Sequence, residues 1–397
     1  MRIIAINNQL PIKMWLGVKE NGEVDVEDGA LQQAHNLANL PFAFKHIALM
    51  PDCHVGYGMP IGGVLATQGV VIPNAVGVDI GCGMLACKTS LHMNDIDPAA
   101  IKIIMGKIRE QIPVGFEHHE ERQEGLPIFH TGTLQFDRCI VDEQVASAAK
   151  QLGTLGGGNH FIELQADEAN SVWIMIHSGS RNLGKQVADF YNKAAVFYNE
   201  KWHSKVPKEY QLAFLPIEED AAKRYMAEMQ YCVDFALSNR EHMLSAIKGI
   251  ITQVTGATYY EAINIAHNYA AWENHFGQNV LVHRKGATRA RSNEVGIIPG
   301  SQGTSSYIVR GLGNQDSFMS CSHGAGRRMG RKDATRRLNL DEEIKRLDDQ
   351  GIIHGIRNVA DLDEAAGAYK DIDVVMENQK ELVETVTKLR PLEVIKG

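Results

Sequence analysis

The chain lacks the features that would place it in several broad classes. No stretch of its 397 residues approaches the roughly 18 consecutive apolar residues of a membrane-spanning helix. The apolar opening Met1-Arg2-Ile3-Ile4-Ala5-Ile6 is too short for a secretory core and has no small-residue cleavage pattern after it. A cytoplasmic protein with no membrane association is therefore expected. The six cysteines (Cys53, Cys82, Cys87, Cys139, Cys232 and Cys321) contain no C-x-x-C pair, which removes the zinc-knuckle and thioredoxin signatures. Reduced thiols fit a reducing compartment. There is no low-complexity tract, no fixed-period repeat and no long Pro/Ser/Gly linker, so 1–397 reads as one compact domain. The run Gly153-Thr154-Leu155-Gly156-Gly157-Gly158 is not followed by Gly-Lys-Ser/Thr, so the chain has no P-loop.

What it does contain is a set of short strings that embed metal-ligand residue types in glycine. These are Asp79-Ile80-Gly81-Cys82-Gly83, Gly156-Gly157-Gly158-Asn159-His160, His177-Ser178-Gly179-Ser180-Arg181, His267-Asn268-Tyr269 and Ser322-His323-Gly324-Ala325-Gly326-Arg327. Such strings cost conformational entropy and bury little apolar surface, which makes core packing a poor explanation for them. Asp79 and Cys82 stand three apart between glycines that permit a tight turn aiming both side chains at one point. A carboxylate, a thiolate and imidazoles make a mixed hard–soft donor set that suits zinc or manganese, and ligand type alone does not separate the two. Gly324-Ala325-Gly326 leaves backbone N–H groups free to nest a phosphate, and Arg327 adds charge-assisted bonding. His323, just before that nest, has the chemistry of a nucleophile: neutral imidazole attacks phosphorus and forms a reactive P–N bond.

Charge distribution points to a polyanion. The net charge is -8, yet Arg284 to Arg337 holds eleven basic residues and three acidic ones. A solvated face is the ordinary reading of a charge run. Here the run flanks Gly300-Ser301-Gln302-Gly303 and the His323 string, so the positive field and the chemistry share a segment.

Taken in order, these strings resemble the RtcB family of RNA-splicing ligases, from Pro11-Ile12-Lys13-Met14-Trp15 to Val394-Ile395-Lys396-Gly397. The resemblance implies two Mn²⁺ ions bridged by Cys82, with Asp79 and His160 completing one site and His177 and His267 the other. It implies that His323 attacks the α-phosphorus of GTP, that Glu163 accepts from the guanine N1 and N2 donors, and that Lys396 donates to O6. Adenine, with a donor at its 6-position, would then be rejected. Asn159, Phe161, Ser301, Ser306, Ala325, Gly326 and Tyr369 are implied around the nucleotide. The implied reaction joins an RNA 3'-phosphate or 2',3'-cyclic phosphate end to a 5'-hydroxyl end, in RNA repair or tRNA splicing. Arg181, Lys285, Arg289 and Arg327 are hypothesised RNA or phosphate contacts, and an archease-type activator is a partner the resemblance allows. A monomer is the default. Two positions depart from the family pattern: Cys53, where an aliphatic residue is usual, and Asn182, where glycine is usual. A second thiol near the metals would affect metal preference or oxidation, and Asn182 tolerates left-handed backbone angles. The competing reading is a metal-dependent phosphodiesterase, which would use the same metals but leave Glu163, Lys396 and the nest without a role.

Helical spacing predicts helices at about 28–39, 97–112, 142–152, 184–204, 218–254 and 371–389, and strands around 46–50, 84–87, 172–176, 279–282 and 307–309. Without regular strand–helix alternation this predicts an α+β fold, mixed or antiparallel central sheets flanked by helices. His54 is open between phosphate binding and bracing the metal loop. A penultimate lysine is ordinarily frayed, and Glu163 could equally face outward from its strand.

Overall fold

Two sheets carry most of the strands in the computed structural model, which describes residues 1–18, 22–127 and 139–397. The larger has seven strands in the order Ile263–Ala266, Gly83–His92, Ser171–Ser178, Phe161–Asp167, Val383–Lys396, Ser306–Gly311 and Val295–Ile298. Every neighbouring pair in it is antiparallel. The second has six strands, ordered Arg2–Ile4, Ile12–Met14, Ala43–Tyr57, Met59–Thr67, Gln278–Lys285 and Asn268–His275, with one parallel pair between Ile12–Met14 and Ala43–Tyr57. The α+β architecture expected from the sequence is the one observed.

Strand and helix follow from apolar patterning. The near-continuous run Val172-Trp173-Ile174-Met175-Ile176 belongs to a strand covered on both faces. On one side Ile174 and Ile176 meet the helices Pro98–Gln111 and Asp220–Thr255 through Ile104, Ile108, Met243 and Ile247. On the other, Met175 packs with Met84, Phe161 and Ile308. Helix Asp28–Ala38 buries Ala30, Ala34 and Leu37 against the second sheet.

One expectation is overturned. The predicted helix at 371–389 is helical only over Ile372–Asn378, and the chain then forms the strand Val383–Lys396. Leu382, Val383, Val386 and Leu389 stand at helical spacing, but that spacing arises from a bulge. Ile308 pairs with Thr387 and Val309 with Thr385, so Val386 is the extra residue and points into solvent, breaking the period-two alternation. The correction matters because this strand ends at Lys396, which pairs with Phe161 and is not frayed.

The 36-residue helix Asp220–Thr255 is the main brace behind the glycine-rich strings. Fully buried Asn239 accepts from the Gly153 and Thr154 N–H groups and donates to the Thr154 and Gly179 carbonyls. Its neighbour Arg240, also fully buried, donates to the carbonyls of Gly81, Ser178 and Ile265. One helix therefore holds three loops in mutual register.

Candidate active site

The turn that carries Asp79 and Cys82 leaves the short helix Pro73–Val76 and closes with the Cys82 N–H on the Asp79 carbonyl, 3.1 Å. Gly81 has φ +74°, and a Cβ there would lie 2.8 Å from the Val233 Cα, so this turn requires glycine. His267 sits where the chain leaves one large sheet for the other, between strands Ile263–Ala266 and Asn268–His275, and its N–H bonds the Cys82 carbonyl at 2.8 Å. His160 immediately precedes strand Phe161–Asp167, and His177 lies opposite Phe161 on the adjacent strand.

These five residues converge. His177 Nε2 is 3.3 Å and His160 Nε2 3.5 Å from Cys82 Sγ, and His160 Nε2 is 3.1 Å from Asp79 Oδ2. Two triads share the sulfur: Asp79, Cys82 and His160, and Cys82, His177 and His267, with the ligand atoms of each within 4.8 Å of one another. The tautomers are set from behind. His160 Nδ1 donates to the Leu155 carbonyl and His177 Nδ1 to the Asn159 carbonyl, both at 3.0 Å, which leaves both Nε2 lone pairs facing the sulfur. His267 Nδ1 is buried with no hydrogen-bond partner among the described residues.

Burial pushes the His177 and His267 rings well below the ordinary imidazole value, and neighbouring imidazoles add to the effect. The Cys82 thiol is pushed well above its ordinary value by burial and by Asp79 beside it. Burial also acts to raise Asp79, but hydrogen bonding and charge from His160 outweigh it and hold that carboxyl below its usual range. Lone pairs of a sulfur, a carboxylate and imidazoles thus face one another at close range. That is a donor set for cations, and two divalent ions fit it.

His323 follows strand Ser320–Ser322, its ring 4.8 Å from that of His267. Fully buried Asp52 holds it twice, accepting from the His323 N–H at 3.1 Å and from Nδ1 at 2.5 Å, so Nε2 carries the free lone pair. Gly286, at φ +61°, lies under the ring, where a Cβ would come within 3.0 Å of Cε1. Asp52 was not singled out in the sequence, because 271 residues separate it from His323.

A cavity of about 550 Å³ opens beside His323. His177 of the second triad lines it, with Ala325, Gly326 and Arg327. Asn159, Phe161, Glu163, Ser301, Tyr369 and Lys396 also line it. Glu163 is 3% exposed and so does not face outward from its strand. Burial pushes its carboxyl up to about 7, against the hydrogen bond from Gln165 and the charge of Lys396. Lys396 is lowered by burial, opposed by the charges of Glu364 and Glu163, and its ammonium sits 5.6 Å over the Phe161 ring. Ser306 is one layer behind the wall: its Oγ accepts from Gln165 Nε2 and the Gly300 N–H. His54 lines the cavity, donates from Nδ1 to the Asp52 carbonyl, and is lowered to about 4 by burial.

The four basic residues assigned to RNA fare differently. Lys285 is buried, with Nζ donating to the Tyr57 and Asn74 carbonyls, and burial lowers it to about 7. Arg181 donates to Thr154 Oγ1 and the Gly115 carbonyl. Arg327 is spent on Glu364, Tyr369 and the Met329 and Asp363 carbonyls. These three bracket the walls through the hydrogen bonds just given. Arg289 is half-buried and pairs with Glu294 at 2.6 Å. Arg284 is fully buried against Glu273, so the sequence count overstates the surface charge of that segment.

Two wall residues were missed. Glu364, 3% exposed, accepts from Arg327, Arg331 and the Tyr369 hydroxyl, and Arg331 Nε reaches it at 2.6 Å while the rest of that guanidinium lies over Gly158, half exposed. Arg331 stood in the basic run, but nothing in that run distinguished it from its neighbours. Cys53 is fully buried in an aliphatic cluster and its thiol is pushed up to about 12 by burial, so it packs as a small hydrophobe. The left-handed residue in the turn after Ser180 is Arg181, φ +58°, so Asn182 needs no unusual backbone angle.

The family model described as tRNA-splicing ligase RtcB matches residues 33–133 and 128–397. The chain is 38% identical to the RNA-splicing ligase RtcB of Escherichia coli K12 over 98% of this chain and 97% of the relative. It is 33% identical to the tRNA-splicing ligase RtcB of Nanoarchaeum equitans and 32% identical to that of Thermococcus kodakarensis, each over 94% of this chain and 92% of the relative.

Proposed function

The chain belongs to the RtcB family and is an RNA ligase, and from that premise we propose that it joins RNA 3'-phosphate or 2',3'-cyclic phosphate ends to 5'-hydroxyl ends, using GTP and two Mn²⁺ ions. The observation that carries this reading is the fixed orientation of His323, a nucleophile held by Asp52 next to a phosphate nest and two metal-ligand triads.

His323 Nε2 attacks the α-phosphorus of GTP, a P–N bond forms, and pyrophosphate leaves. Asp52, accepting from Nδ1–H, keeps that proton on the ring and balances the positive charge that the ring gains. An oxygen of the RNA 3'-phosphate then displaces histidine from the GMP phosphorus. The 5'-hydroxyl of the second end attacks the activated 3'-phosphorus, loses its proton, and releases GMP. Asp79, Cys82 and His160 would hold one Mn²⁺, and Cys82, His177 and His267 the other; bound there, the pair neutralises phosphate charge.

Nucleotide choice rests on buried Glu163 and on Lys396. Glu163 accepts from guanine N1 and N2, and Lys396, fixed at the end of its strand, donates to O6. Asn159, Phe161, Ser301, Ala325, Gly326 and Tyr369 enclose the nucleotide, with Ser306 steadying the wall through Gln165. The half-exposed guanidinium of Arg331 is the best-placed phosphate contact at the rim.

The test is joining itself. Two RNA strands, one ending in 3'-phosphate and one beginning with 5'-hydroxyl, should yield one product with GTP and Mn²⁺ and none with ATP. Opening of a cyclic phosphate without any joining would favour the phosphodiesterase reading instead.

A further inference from the structure

A second cavity, of about 590 Å³, lies beside the short helix that leads into the Asp79 turn. Its walls come from the hairpin residue Tyr57, from Asn74 at the start of helix Pro73–Val76, from the helix Arg181–Lys201 through Asn192 and Asn199, and from the segment that includes His203 and Gln211. It is tied to the site along the chain twice. Tyr57 ends the strand that carries Asp52, and the Asn74 helix runs directly into Gly77 and the turn of Asp79.

The composition of the walls is specific. Tyr57 is 58% exposed, yet its backbone is pinned by the Lys285 ammonium at 2.6 Å. The same ammonium holds the Asn74 carbonyl at 3.0 Å, and Asn74 in turn donates to the Gln211 carbonyl at 2.8 Å. Gly58 packs so closely on that loop that a Cβ would lie 2.6 Å from the Gln211 carbonyl oxygen. An aromatic ring is thus presented from a rigid support. Asn192 lines the same cavity with a side-chain oxygen that has no hydrogen-bond partner among the described residues. His203 and Gln211, at φ +53° and +59°, are both held in the left-handed region, a conformation that persists in non-glycine residues only where the surroundings fix it. Lys285 is the fixed point behind this wall, donating to both carbonyls.

An accessible ring and amide edges are what a single-stranded nucleic acid site uses: stacking for the base and hydrogen bonds for its edge. We propose that this cavity holds an unpaired nucleotide of the RNA close to the end being joined, with its base stacked on Tyr57 and its edge against Asn192 and Gln211. The inference rests on the ligase reading. It gives Lys285 a part in RNA binding through the hairpin it fixes, with no direct phosphate contact.

The experiment uses the full chain with Mn²⁺ and a fluorescein-labelled single-stranded RNA ending in 3'-phosphate, read by anisotropy. Tyr57→Ala should raise the Kd by on the order of tenfold, the loss expected for one stacked base, and Tyr57→Trp should keep wild-type affinity and lose tryptophan fluorescence on titration with RNA. Asn192→Leu should alter the ranking of the four homopolymers. Radiolabelling of the protein by GTP should be unchanged in all three. Single-stranded RNA binding within twofold of wild type for both Tyr57→Ala and Asn192→Leu would overturn the proposal, and so would an equal loss of GTP labelling, which would mean general damage to the site. Failure of wild-type protein to join RNA would count against the ligase reading itself, a result read separately in the joining assay.

Discussion

Cys82 belongs to both ligand triads, whereas His267 belongs to one. Cys82→Ala should therefore abolish or severely weaken both Mn²⁺ sites in equilibrium dialysis, and His267→Ala should leave one; equal stoichiometry in the two variants would contradict the shared-sulfur arrangement. Glu163 gives the residue scale a pH signature. Its carboxyl, raised by burial to about 7, must be ionised to accept from guanine. GTP affinity should weaken as pH falls from 8 to 6, and Glu163→Gln should bind GTP weakly with a flat profile over that range. The stability effect has the opposite direction. The folded state holds this proton more tightly than the unfolded chain, so the Glu163 contribution to stability falls as pH rises from about 4.5 through about 7. Urea melts of Glu163→Gln should accordingly gain on wild type between pH 5 and pH 8; an unchanged difference across that range would place the raised carboxyl elsewhere. The residues of the two triads were legible because thiol, carboxylate and imidazole among glycines have little structural use. Asp52 and Glu364 were not, since a lone carboxylate in a chain with 48 acidic residues carries no mark until its partner is seen.

The elements that aim these residues are ordinary ones held in an unusual register. Asn239 and Arg240, adjacent on one long helix, satisfy backbone groups of the Gly153, Ser178 and Gly81 loops. Asn239→Ala strands several buried donors and acceptors at once and should cost on the order of 3 kcal/mol in urea unfolding, with weakened Mn²⁺ affinity. A loss below about 1 kcal/mol would mean that the loops hold themselves. The long amphipathic helix was legible from its period, but the two polar residues on its buried face were not, because burial of an Asn–Arg pair depends on which loops meet it. The strand Val383–Lys396 was misread for a definable reason. Its bulge at Val386 imitates helical spacing, and only pairing with Ser306–Gly311 on one side and Phe161–Asp167 on the other reveals the strand.

Over the whole molecule, the two sheets meet where the chain crosses at His267, and that junction, invisible to any local pattern, turns separate strings into one site. The surface field is smaller than the basic run implied, because Arg284, Lys285 and Arg327 are engaged internally. Among the described residues, no helix is long and apolar enough to cross a membrane. Salt dependence of RNA binding should separate rim from bracket: Arg331→Ala should lower the slope of log K against log salt by about 1, whereas Lys285→Met should weaken binding with little change of slope. A slope loss in Lys285→Met alone would reverse that division.

The central claim is that His323 carries the nucleotide. Protein incubated with GTP and Mn²⁺, then digested and mapped by tandem mass spectrometry, should show one GMP unit on the peptide containing Ser322-His323-Gly324, attached through nitrogen, and absent from His323→Ala, from incubations with ATP, and from Cys82→Ala. GMP on a different residue, or RNA joining that persists in His323→Ala, would contradict the account.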